Sequence, residues 1–373
     1  MAVPTRFATP SMAPSASGAE KDHTVQQTDI DALVSRCSAV DTGYLSDPYA
    51  ELFLDSSASK DRRYPLINRG TYVRTTALDK LVQSFLSQPS KTIKQVVSLG
   101  AGSDTRFFRL AAGTTQPFIY HEFDFPRVTV RKIQAIQKHA ELSSILARFN
   151  AVPTAGSNPD GLSLQVDSRS GALHSPHYHI HPIDLRTLKP GTPLPAGINP
   201  SLPTLFVSEC CLIYLSPTDA DDIFKWITSS FAPASETASN SVGIVLYEPI
   251  GGHDSFGKVM IRNLSQRGIV LRTLQKYSTL ERQMERMRVL GFNSGMGACD
   301  VNFIHNHWID ADERDRIDKL ELLDEREEWE LLAKHYCIAW GWLEQGPLSD
   351  KAGSLAFRDW LQFPLQQQPP LAT

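Results

Sequence analysis

Four short apolar runs, each closed by a glycine or an acid, constrain this chain more than any other feature. Ile93 to Leu99 stops at Gly100, Phe118 to Phe123 at Asp124, His177 to Ile183 at Asp184, and Thr204 to Ser208 at Glu209. Runs of this length read as strands. Helical patterns fall between them. A short helix begins at Phe107, Phe108 and Leu110, a second covers Arg127 to about His139, and a third runs from Pro217 to Phe231 before a further strand at Val242 to Tyr247. Strand–helix alternation of this kind predicts an α/β fold on a mostly parallel sheet.

Such folds bind ligands outside the carboxyl ends of their strands, so Gly100, Asp124, Asp184 and Glu209 are expected to converge on one crevice. Taken singly, each acid reads as a solvated loop residue; the regular placement of one per strand is what suggests a site. The first strand runs into Gly100-Ala101-Gly102, a sequence that lets the backbone turn sharply and a ligand approach closely. In a dinucleotide fingerprint the third glycine would fall at position 105, which is Thr, and this disfavours a nicotinamide-dependent dehydrogenase. In the second strand, Glu122 and Asp124 share one face by the period of two, and an acid at that strand's end suits ribose hydroxyls.

Upstream, Thr28 to Phe53 has helical spacing with Ile30, Leu33, Val34 and Cys37 on one stripe, and Asp47-Pro48 marks a break. Asn68 to Leu86 opens on the turn-like Asn68-Arg69-Gly70 and continues as a helix with Val73, Ala77, Leu81 and Phe85 on one face. Residues 151–175, and the proline-rich residues 189–203, read as insertions. After Pro249 the chain is helical through Leu290. Met296 to Ile304 and Tyr336 to Leu343 read as late strands around a charged, solvated helix from Asp310 to Trp329. Residues 1–27, rich at their start in Ala, Ser, Pro and Thr, read as a disordered tail and lack the apolar core of a secretory signal.

The 373 residues carry 37 basic and 41 acidic side chains, a net charge of −4, with no basic surplus for nucleic acid. No apolar run reaches the roughly 18 residues of a membrane span. Five cysteines form neither a C-x-x-C pair nor a compact disulfide pattern, which fits free thiols in a reducing, cytoplasmic compartment. His177, His179 and His181 fall on one strand face near His174, but no cysteine or acid spacing accompanies them, and no metal is expected.

Ile67-Asn68-Arg69-Gly70-Thr71-Tyr72-Val73-Arg74, Ser98-Leu99-Gly100-Ala101-Gly102-Ser103-Asp104-Thr105, Glu122-Phe123-Asp124-Phe125-Pro126 and Ser208-Glu209-Cys210-Cys211-Leu212-Ile213-Tyr214-Leu215-Ser216-Pro217 together strongly resemble the leucine carboxyl methyltransferase family. The likeness runs from about Asp29 to Trp342, through Gly43-Tyr44, Asp47-Pro48-Tyr49, Ser278-Thr279-Leu280-Glu281 and His335-Tyr336-Cys337. The resemblance implies a Rossmann-like S-adenosylmethionine-dependent methyltransferase fold with a mostly parallel seven-stranded sheet. It implies a helical lid region at 28–90 and a methyltransferase domain at 91–373. The implied activity is methylation of the C-terminal leucine α-carboxylate of the protein phosphatase 2A catalytic subunit, by a monomer whose partner is that subunit's tail. Carried over by position, Arg74, Gly100, Asp124, Asp184, Leu185 and Glu209 would contact the cofactor. Arg36 stands where the family has a cofactor-contacting lysine in the N-terminal helix. Arg36, Arg74 and Tyr214 are candidates for orienting the cofactor and substrate carboxylates; Tyr214 reads equally as a core tyrosine. Two other readings share the fold: a tRNA wybutosine-pathway methyltransferase, which usually carries a C-terminal propeller, and a non-catalytic phosphatase-binding protein.

Overall fold

The computed structural model describes residues 18–55, 60–90, 92–152, 164–232, 240–324, 326–345 and 356–367. Helices α1 (Gly18–Asp41) and α2 (Pro65–Ser87) precede the first strand, β1 (Lys94–Leu99). Then follow α3 (Arg106–Gly113), β2 (Phe118–Asp124), α4 (Pro126–Lys138), α5 (Ala140–Asn150), β3 (Gln165–Asp167), β4 (Ala172–His174), β5 (Tyr178–Pro182), β6 (Thr204–Glu209), α6 (Pro217–Ser230) and β7 (Asn240–Pro249). The chain continues through α7 (Ser255–Gln266), α8 (Leu280–Val289), β8 (Gly295–Asp300), α9 (Val301–His307), α10 (Ala311–Asp318), α11 (Arg326–Lys334) and β9 (Tyr336–Gln345).

One sheet holds nine strands in the order β3-β4-β5-β2-β1-β6-β7-β9-β8. The expected seven form its body, from β5 to β8, and their chain order reads 3-2-1-4-5-7-6, the doubly wound Rossmann-like arrangement of the methyltransferase fold. The two additional strands come from the 151–175 insertion, of which residues 153–163 lie outside the described residues. Strands β5, β2, β1, β6 and β7 are parallel neighbours, while β9 runs antiparallel to both β7 and β8.

Alternation along the buried strands feeds two cores. Val96, Leu205, Val207, Val245 and Trp340 face one core with α2, α3 and α5, whereas Val97, Leu99, Phe206, Ile244 and Ala339 face the other with α6 and α8. Burial on both faces is why these strands read as unbroken apolar runs. Burying a single such side chain contributes about 1.5–3 kcal/mol, so the sheet is the rigid platform on which the loops at its carboxyl edge are held.

Several expectations change. Residues 18–27, assigned to the tail, are the first turns of α1, and residues 1–17 lie outside the described residues. Asn68-Arg69-Gly70 is the interior of α2, not its opening turn: Pro65 sits in the first turn, Asn68 bonds Glu321 (3.0 Å) and Arg69 pairs with Asp318 (2.7 Å). The segment from Asp310 to Trp329 splits into α10, which turns Ile317 inward, and α11, which buries Trp329 and Ala333. Met296 to Ile304 divides between β8 and α9, because the Asp300 side chain caps a new helix by accepting from Phe303 N. No helix among the described residues is long and apolar enough to cross a membrane.

Candidate active site

The carboxyl edge of β1, β2 and β6 opens into a cavity of about 370 Å³ roofed by α1 and flanked by α2. Arg36, Arg74, Gly100, Asp124, Glu209 and Tyr214 all line it. Asp184 and Leu185 lie in an adjoining chamber of about 280 Å³, which shares Gly100, Asp124, Cys211 and Tyr214 with the first. The structure thus brings together all eight residues singled out by position.

Gly100 and Gly102 have φ of +65° and +49°, a conformation side-chain-bearing residues rarely adopt. Space is also short: a Cβ at Gly100 would lie 2.3 Å from Cys211 Sγ, and one at Gly102 would lie 2.3 Å from an Asp29 carboxylate oxygen. Asp124 closes the turn, its two oxygens accepting from Gly102 N and Phe125 N, both at 2.7 Å. Burial, offset by those bonds, pushes its carboxyl up to about 6. Thr105, at the position of a third glycine, is instead wholly buried and donates its hydroxyl to Asp47 (2.5 Å).

Beside this loop lies a closed electrostatic ring. Arg36 pairs with Asp47 (3.3 Å) and Asp104 (3.9 Å), Arg106 with Asp104 and Asp79 (2.8 Å), and Arg109 with Asp79 and Asp47 (3.6 Å). Glu209 attaches through Arg106 (3.0 Å) and carries Arg74, whose Nε donates to it. Burial alone would raise the Glu209 carboxyl, but Arg74, Arg106 and Arg36 outweigh it and hold it below the usual range. The Arg74 guanidinium also lies 4.8 Å from the centre of the Tyr247 ring, and among the described residues no other side chain hydrogen-bonds its Nη groups.

Cys210, directly after Glu209, has φ +54°, the one such non-glycine among the described residues. Strain of that kind persists where surrounding contacts over-determine the backbone; here Cys210 N donates to Tyr247 O at 2.7 Å. Burial pushes the Cys210 thiol up to about 11 and raises that of Cys211 as well. Tyr214 is half-buried and its hydroxyl is likewise raised by burial, with the Thr28 hydroxyl of α1 bonded to it.

Residues that the sequence pattern did not single out hold α1 over the cavity. Asp29 accepts from Ser103 N and Ser103 Oγ, both at 2.7 Å, and lies 3.4 Å from Arg131. Asp22 pairs with Arg186 (2.7 Å), which in turn binds Asp184 (2.6 Å). The Asp184 carboxyl, which burial would raise, is brought below its ordinary value by Arg186. Glu122, expected on the same face as Asp124, is spent elsewhere: it is buried and paired with Lys132 (2.5 Å).

Residues 24–228 match the model of a family described as leucine carboxyl methyltransferase. The chain is 47% identical over 348 residues to leucine carboxyl methyltransferase 1 of Aspergillus fumigatus, covering 87% of this chain and 84% of that protein. It is 45% identical over 366 residues to the protein of the same name from Emericella nidulans, covering 93% and 90%. A leucine carboxyl methyltransferase 1 homolog from Arabidopsis thaliana is 36% identical over 318 residues, covering 85% and 88%.

Proposed function

Since the chain belongs to the leucine carboxyl methyltransferase family, and is on that ground a methyltransferase, we propose that it methylates the α-carboxylate of a C-terminal leucine, that of the protein phosphatase 2A catalytic subunit, with S-adenosylmethionine as donor. The observation that carries this reading is a single cavity in which two cramped glycines, the Asp124 carboxylate and the Nη groups of Arg74 meet. The residues fit the cofactor. Gly100 and Gly102 carry the tight turn that borders the cavity, and Asp124 is placed to accept ribose hydroxyls. Asp184 and Leu185 line a chamber whose apolar members, Val25, Phe125 and Leu215 among them, suit adenine, and Arg36, in the main cavity, is placed for the amino-acid carboxylate. When bound, the sulfonium supplies an electrophilic methyl group.

The chain's own residues then have three tasks. Arg74, anchored by Glu209 and the Tyr247 ring, presents its Nη groups to the substrate carboxylate, with Tyr214 beside it. No general base is needed, because a chain-terminal carboxyl with an ordinary pKa of about 3.3–3.7 is already ionised at neutral pH. Helix α1 and the apolar walls exclude water, which favours transfer between oppositely charged groups that lose their charge as they react. Cys210 and Cys211 line the same cavity, but burial keeps both protonated, so neither competes as a nucleophile. On this reading the enzyme works as a monomer in the cytoplasm, with its phosphatase partner.

The test is transfer of labelled methyl from S-adenosylmethionine to a peptide ending in free leucine. Labelling is expected with the free acid and none with the amidated peptide; equal labelling of the two removes the carboxylate from the proposal. Calorimetry with S-adenosylmethionine distinguishes an enzyme from a binding protein of the same fold, for which no binding is expected.

A further inference from the structure

Four histidines meet away from the cavity just described. His121 on β2, His179 on β5 and His174 on β4 stand directly opposite one another across three adjacent strands, by the pairings His121↔His179 and His174↔His179. His181 lies two residues along β5, on the same face. His177, which the period of two placed with them, does not join: its Nε2 meets Val152 O (3.0 Å) and its ring packs on Phe149. It precedes the first residue of β5, so the strand alternation does not govern it.

His121, His179 and His181 are buried, and one ring nitrogen from each lies within 4.8 Å of the others. His121 Nδ1 is 3.1 Å from His181 Nε2, and His174 Nδ1 is 3.2 Å from His179 Nδ1. Zinc–nitrogen bonds of about 2.0–2.1 Å in a tetrahedron separate the nitrogens by about 3.4 Å. The closest pairs are already near that separation, and no pair within the trio His121, His179 and His181 needs a shift of more than about 1.4 Å. His121 presents Nδ1, the nitrogen that meets His181, to the cluster, while its buried Nε2 has no hydrogen-bond partner among the described residues.

We propose that His121, His179 and His181, completed by the half-buried His174, form a structural site for a divalent transition metal, Zn²⁺ foremost. An all-imidazole donor set suits Zn²⁺, Cu²⁺ or Ni²⁺ and not the oxygen-seeking Mg²⁺ or Ca²⁺. The ion would staple the three-residue β4, and with it the insertion, to the strand that leads into Asp184. None of the four histidines lines either chamber of the cavity, so the site is separate from methyl transfer.

The experiment uses full-length protein without a polyhistidine tag, stripped by chelator and titrated with Co²⁺. One equivalent is expected to bind with the intense visible absorption of a tetrahedral site, and one equivalent of Zn²⁺ should abolish that band and raise the unfolding temperature. His181→Gln and His174→Gln should each weaken Co²⁺ binding at least tenfold, whereas His253→Gln, an exposed control, should leave it unchanged. If a variant fails to fold, the wild-type titration alone decides. Absence of a stoichiometric tetrahedral band in folded wild-type protein overturns the proposal, as does uptake unaltered in His181→Gln.

Discussion

Arg74→Ala separates holding a carboxylate from holding the fold. The side chain makes one charge-assisted bond to Glu209 and a cation–π contact at 4.8 Å with Tyr247. These are worth about 1.5–3 kcal/mol and about 0.5–1 kcal/mol respectively. Glu209 keeps Arg106 at 3.0 Å, so its carboxylate is not stranded when Arg74 is removed. The expected loss of stability is therefore about 2–4 kcal/mol. With an unfolding entropy near 2.1 cal/mol/K per residue, the 373-residue chain should lose about 3–5 °C in melting temperature and remain folded. The functional loss should be larger and selective. If the Arg74 Nη groups hold the substrate carboxylate, they contribute about 1.5–3 kcal/mol, or about 10–150-fold, to the preference for a free-acid over an amidated leucine peptide. Arg74→Ala should erase most of that preference, and Arg74→Lys should restore part of it, since a lysine supplies charge without the planar fork. The assay is competitive binding of the two peptides to cofactor-loaded wild type and variants. A free-acid preference unchanged in Arg74→Ala, with the melting temperature lowered as expected, refutes the assignment and moves the role to Arg36.

Three further outcomes follow from the geometry. Asp124 ionises near pH 6 when folded and lower when unfolded, so its ionisation opposes folding as pH rises from about 4 to about 6; hydroxyls bonding the carboxylate lower that pKa, so cofactor binding at pH 6 should release a proton, detected as a buffer-dependent calorimetric enthalpy that disappears in Asp124→Asn. Asp29→Ala removes both bonds from α1 to Ser103, worth together about 2–4 kcal/mol, and should speed amide exchange across the start of α1 by about 30–1000-fold; unchanged exchange there would show that other contacts hold the roof. Lys132→Met strands the buried Glu122 carboxyl, which even with its partner is pushed up to about 7 by burial; denaturant midpoints should show a loss of about 3–5 kcal/mol at pH 8 and a smaller one at pH 5.5, where Glu122 is protonated in the folded state.

What could be read from the sequence tracks how local the cause is. The strands β1, β2, β6 and β7 were legible because burial on both faces writes a largely apolar run and the turn at the carboxyl end writes a glycine or an acid, and β5 because its histidines alternate with other residues ahead of Asp184. The α6 boundary was legible too, since Ser216 and Pro217 act within one turn: the serine oxygen accepts from Asp219 N at 3.1 Å. Helix α5 was hidden because only His139 separates it from α4. The β3–β4 pair was hidden because three-residue strands at a sheet edge are too short to show a periodicity. Long-range pairings left no trace: Arg74 meets Glu209 across 135 positions and Asp29 meets Ser103 across 74. Cys210 gave no sign of its left-handed backbone, because strain imposed by tertiary contacts has no compositional marker.

Those long-range pairings bear on how a chain with net charge −4 would receive the anionic chain end of the proposed reaction. Four arginines, Arg36, Arg74, Arg106 and Arg109, face four carboxylates, Asp47, Asp79, Asp104 and Glu209, and the charges of the network cancel. Attraction at a distance is therefore weak, and capture depends on donors left over after that cancellation. Arg106 and Arg109 turn their nitrogens toward protein carboxylates, whereas Arg74 commits only its Nε to Glu209. Neutrality has a second consequence. A substrate carboxylate entering a balanced network brings one uncompensated negative charge, and a donor that carries one net positive charge cancels it. Methyl transfer leaves both products neutral at the reacting groups, so the network faces no net charge before or after the step. A surplus of positive protein charge would instead hold the carboxylate in its ionic ground state and oppose its conversion to an ester. The balanced ring suits a reaction in which opposite charges annihilate, and under the proposed function it would leave positioning by Arg74 as the main contribution these side chains make.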